Sequence, residues 1–101
     1  RAQIARMGEM NMTAEEVLSK AEDLLHERGN DYDPAQGQER SMERIVGVFR
    51  SLTGVDMTET DGWLFMLCLK LVRATATETP SADTYYDAVA YAALMAESAI
   101  K

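Results

Sequence analysis

The stretch from Thr58 to Arg73 limits the folds open to this chain more than any other. The run Gly62-Trp63-Leu64-Phe65-Met66-Leu67-Cys68-Leu69-Lys70-Leu71-Val72-Arg73 is apolar on nearly every side of a helical wheel. Thr58-Glu59-Thr60-Asp61 precedes it, a capping sequence with acids in the first turn, where the helix dipole favours them. The spacing predicts a helix from about Glu59 to Ala76. A helix of this kind lies at the centre of a bundle or is covered by a partner chain. Trp63 and Phe65 stand roughly 200° apart on the wheel, so one can enter the core while the other meets something else. A homodimer or higher oligomer through this third helix is the expectation. The run is too short, and too interrupted by Lys70 and Arg73, to span a bilayer.

The flanking segments read as further helices. Thr13-Ala14-Glu15-Glu16 is a capping box ahead of Val17, Leu18, Ala21, Leu24 and Leu25 at helical spacing, with Arg28-Gly29 as the stop. Asn30 to Gly37 reads as a loop. A second helix is expected from Ala35 or Gln38 to Leu52, with Met42, Ile45, Val46, Phe49 and Leu52 on its apolar face and Gly54 as its end. Gly47 in mid-helix would mark a close approach of another helix. Pro80-Ser81 opens a last helix through about Ser98, rich in alanines that permit close packing. No segment alternates as a strand does. The fold class is therefore all-α: an antiparallel four-helix bundle over residues 13–101, with a short arm or helix at 1–12.

Composition narrows the functional classes. In 101 residues, 17 acids against ten Lys and Arg give a formal charge of -7, which argues against phosphate-backbone binding and so against nucleic acid. Cys68 is the single cysteine and sits in the most apolar run, so it reads as a buried, inert thiol in a reduced, cytoplasmic setting. Arg1 to Met10 lacks the apolar centre of a signal peptide.

The order Arg28-Gly29-Asn30-Asp31-Tyr32-Asp33, Lys70-Leu71-Val72-Arg73 and Asp83-Thr84-Tyr85-Tyr86-Asp87-Ala88-Val89-Ala90-Tyr91 resembles a family of small phage and prophage helical proteins of unassigned function. That pattern is Arg followed by Tyr-Gly-Asp, Lys-x-x-Arg on an apolar helix, and Asp-x-x-x-Asp-x-Ala-Gly-Tyr. Arg28, Tyr32, Lys70, Arg73, Asp83, Asp87 and Tyr91 fall on it; Asp33 and Ala90 stand where the pattern has Gly. More loosely, the chain is similar to the MazG-like all-α nucleotide pyrophosphohydrolases, which hold magnesium with acidic pairs. Those use Glu-x-x-Glu and Glu-x-x-Asp spacings, where this chain has Glu-x-x-x-Glu and Asp-x-x-x-Asp.

Two cations at i,i+3 (Lys70, Arg73) and two carboxylates at i,i+4 (Asp83, Asp87) flank one turn. They can pair across the helix hairpin as a polar lock. They can also form a ligand site with Arg28 and Tyr32, the arginine clamping phosphate and the tyrosine offering a stacking face. Glu39 and Glu43, one turn apart on the second helix, could join Asp83 and Asp87 around Mg²⁺. No residue qualifies as a nucleophile or as a histidine acid–base pair, since His26 is the only histidine, and there is no glycine-rich phosphate loop. The first expectation is thus a small phage- or prophage-encoded interaction or regulatory protein without catalysis or cofactor, acting on a host or phage protein partner. The alternative is a Mg²⁺-dependent nucleotide-binding or pyrophosphohydrolase-like protein.

Overall fold

The computed structural model describes residues 12–32, 40–76 and 78–101 (for Tyr32, the backbone only). The described residues are all-helical, with four helices that pack against one another and no strand: α1 (Ala14–Tyr32), α2 (Met42–Thr53), α3 (Glu59–Ala76) and α4 (Ala82–Ile100). None of these helices is long and apolar enough to cross a membrane. The arm expected at 1–12 lies outside the described residues apart from Met12, as does most of the loop placed at Asn30 to Gly37.

The helix starts follow local chemistry. At α1, the Glu16 N–H donates to Thr13 Oγ1 at 3.1 Å and the Thr13 N–H donates back to Glu16 Oε1 at 2.9 Å, a reciprocal cap. These bonds hold the Glu16 carboxyl below its ordinary value. At α3, Thr58 and Asp61 make the same exchange at 3.0 and 3.3 Å. At the end of α2, Gly54 takes φ 76° and donates its N–H to Arg50 O at 2.8 Å, a left-handed stop that a Cβ would strain.

Two boundaries move. The first helix continues through Gly29 to Tyr32, because packing against α4 outweighs the modest cost of a helical glycine. The second begins only at Met42: Arg40 and Ser41 lie outside it, so Ala35 or Gln38 was too early for the described part of that stretch.

α4 holds the centre. It packs against both α1 and α3, while α2 meets α3. Ala90 is fully buried, and Ala21 of α1 and Ala74 of α3 are nearly so, which lets backbones approach closely. α3 and α4 run in opposite directions, since Thr60 meets Ser98, Trp63 meets Tyr91 and Lys70 meets Asp87. The core cluster is Met42, Trp63, Tyr91 and Leu94, with Leu25, Val46, Met66, Leu67 and Met95 packed around it.

Of the two places expected for α3, at the centre of a bundle or against a partner chain, the first does not hold within the described residues. One face enters the core through Gly62, Trp63 and Ala74, and the opposite face (Leu64, Phe65, Leu71, Val72) is exposed. Trp63 is 5% exposed and Phe65 67%, the opposition that their spacing implies. Cys68, expected to be buried, lies on the exposed face, because it shares that side of the wheel with Leu64 and Leu71. Leu18 was assigned to the core face of α1 and is exposed too.

α2 departs furthest from expectation. Only Met42 and Val46 pack inward, and every residue from Gly47 to Asp56 is exposed, including Phe49 and Leu52. The glycine at the close helix approach is Gly62, not Gly47. A Cβ on Gly62 would collide with the Met42 side chain and stand 3.2 Å from Val46 Cγ1, whereas one on Gly47 would meet nothing within 4 Å.

Candidate functional site

Asp87 sits one turn before Tyr91 on α4, on the side where α1 and α3 both arrive. Its two oxygens are both used. Arg28 Nη2 from α1 donates to Oδ1 at 2.6 Å, and Lys70 Nζ from α3 lies 2.9 Å from Oδ2. All three side chains are largely withdrawn from water, at 13–18% exposure. The Arg28 guanidinium also stands 4.9 Å from the centroid of the Tyr91 ring, and Trp63 stacks on Tyr91 at 5.8 Å and 25°. One carboxylate, two cations and two rings thus join three helices at one point. The ring face offsets part of the guanidinium's lost hydration. Arg28 Nη1 is buried and has no hydrogen-bond partner among the described residues.

The sequence-based candidates separate here. Arg28, Lys70 and Asp87 come together. Arg73 and Asp83 do not join them: both are exposed, so the pairing of two cations with two carboxylates across the hairpin reduces to Lys70 with Asp87, reinforced by Arg28. Arg73 lies about 60° round the wheel from Lys70, away from α4. Asp83 occupies the first turn of α4, a position that the helix dipole favours without any partner. Glu43 is exposed on α2, Glu39 lies outside the described residues, and so does the Tyr32 side chain. Among the described residues, no group of three or more His, Cys, Asp or Glu side chains converges as metal ligands would.

Residues 16–99 match a family described as Domain of unknown function (DUF6378). The chain belongs to that family. No curated protein and no solved structure matches it. The span of the DUF6378 match takes in nearly all of the four helices and every residue of the Asp87 cluster.

A second polar contact lies at the other end of the DUF6378 domain. Arg40 donates to Glu97 at 2.6 and 3.2 Å, bringing the segment before α2 to the last turns of α4. The hydrogen bond from Arg40 holds the Glu97 carboxyl below its ordinary value. Sequence reasoning did not find this pair, whose members lie 57 positions apart. It also gave Tyr91 no contact of its own. The signal for that contact is the i,i+4 spacing of Asp87 and Tyr91, which sets ring beside carboxylate.

Both Asp87 oxygens already face a cation. For Asp87 to ligate a metal through either oxygen, it would have to loosen its hold on Arg28 or Lys70, leaving a largely buried positive charge less well compensated. Its geometry suits holding helices together.

Proposed function

We propose that this protein is a small, non-enzymatic helical interaction or regulatory protein, phage- or prophage-encoded and acting in the host cytoplasm, whose working surface is the exposed apolar face of α2 and α3. The observation that carries this reading is α2. A helix of 12 residues is marginal on its own, and this one leaves Ile45, Val48, Phe49 and Leu52 uncovered. Soluble monomers seldom leave this many large apolar side chains to water unless something binds there. The phage-type sequence pattern supports the setting, and the occupation of Lys70, Arg28 and Asp87 by one another supports a structural role for the charged cluster. An antiparallel four-helix arrangement belongs to the same proposal, completed when the α2–α3 face is covered.

A second reading has one observation in its favour. Arg28 Nη1, buried beside Asp87 and unpartnered among the described residues, is a group that seeks an anion. In that reading Glu39, Glu43, Asp83 and Asp87 hold Mg²⁺, while Lys70 or Arg73 meets a nucleotide phosphate. Incubating the protein with the common nucleoside triphosphates and Mg²⁺ separates the two. The interaction reading expects no release of phosphate or pyrophosphate and no rise in the thermal midpoint. Release that disappears in Asp83→Asn and Glu43→Gln, together with a nucleotide-dependent midpoint, would establish the second reading instead.

A further inference from the structure

The uncovered surface consists of two separate stripes of similar length. On α2, Ile45, Val48, Phe49 and Leu52 recur at helical spacing over about 10 Å of axis. On α3, Leu64, Phe65, Leu71 and Val72 do so over about 12 Å. Among the described residues nothing covers either stripe, and each has the length to cover the other. With side chains of this size roughly half exposed, eight of them offer on the order of 800 Å² per chain, the area that each partner of a stable protein–protein interface contributes. Their relief is complementary as well. The middle of the α3 face is occupied by the small Cys68 side chain, flanked by bulk on both sides. The middle of the α2 stripe carries the large ring of Phe49, a knob for that hole.

We propose that a second copy of the chain covers this face, with the α2 stripe of each protomer lying across the α3 face of the other. A two-fold axis makes both contacts at once and leaves neither stripe in water. Contact of like stripes would set Cys68 against Cys68 and leave a gap between the helices. The inference rests on the interaction reading and names its partner as the chain itself. It gives the outer half of α2 the packing that it lacks within one chain.

The test uses the full chain at micromolar concentration. Sedimentation equilibrium is expected to give twice the chain mass of 11.2 kDa. Leu52→Asp and Phe65→Asp, each at a position that touches little in the single chain, should weaken association about tenfold or more. Phe65→Asp should keep its helical circular dichroism. For register, a Phe49→Cys, Cys68→Ser chain is mixed with the unaltered chain under mild oxidation. A disulfide in the mixture, with little in either chain alone, is expected. A monomeric mass throughout, or cross-links within each chain alone and none in the mixture, would overturn the proposal. A monomer that leaves nucleotides intact removes the second copy but keeps the non-enzymatic reading; a dimer that hydrolyses them does the reverse.

Discussion

The α4 side and the α2 side of this molecule use the same kinds of side chain to different ends. Around α4, Trp63, Tyr91 and Leu94 close a small core, and Asp87 ties Arg28 and Lys70 beside it. In α2 the residues are as apolar and as well spaced, yet beyond Val46 they cover nothing: Leu52 is 81% exposed. Periodicity tells which residues share a face, but not whether the chain itself supplies the surface that the face needs. The α4 side folds against α1 and α3. The outer half of α2 leaves its apolar side chains exposed.

The largest expected difference between the two sides comes from Asp87→Ala. It strands two cations that are mostly buried, and the single chain should lose about 3–5 kcal/mol, read as a fall in the urea midpoint. Leu52→Ala, measured dilute enough to keep chains apart, should stay within about 0.5 kcal/mol. Equal losses would erase the contrast. Next comes Met42→Ala, at about 2–4 kcal/mol, because Met42 is the one α2 side chain fully inside the core. A loss under about 1 kcal/mol would mean that α2 is not anchored there.

The two helical glycines sharpen the comparison. Gly47→Ala has open space and should gain about 1 kcal/mol from helix propensity. Gly62→Ala meets Met42 and should lose stability, so that the two variants move the thermal midpoint in opposite directions. The smallest effect belongs to Glu97→Gln, within about 1 kcal/mol for a pair this open to solvent. Its sign with pH is definite. Because the folded carboxyl lies below its ordinary value of about 4.5, the pair contributes fully above that value and fades as pH falls through the lower folded one. The variant and the parent should therefore converge in acid.

Local chemistry made much of the fold legible. Thr13 and Thr58 cap their helices as their spacing indicates, Gly54 ends α2, and α3 spans Glu59–Ala76 as read. Each of these is set by neighbours a few residues away. What depended on distant partners was harder to read. Lys70 and Asp87 were drawn together as candidates and lie side by side, but Arg28 reaches Asp87 across 59 positions, and no spacing rule chooses it over Arg73. Gly62 and Gly47 look alike in sequence; only the approach of Met42 tells them apart. Cys68 illustrates the same limit, since an all-apolar helix does not declare which side has a neighbour.

The shared carboxylate has a further consequence for how the molecule opens. Asp87 belongs to α4 but is held from α1 and α3, so none of these three helices can come away without breaking the same small set of bonds. Their amides should exchange with solvent deuterium as one unit, at the rate of global unfolding. In protein dilute enough to keep chains apart, the amides of α2 beyond Val46 have no such tie and should exchange far sooner. The single Asp87 carboxyl thus divides the chain into a part that unfolds all at once and a part that frays by itself.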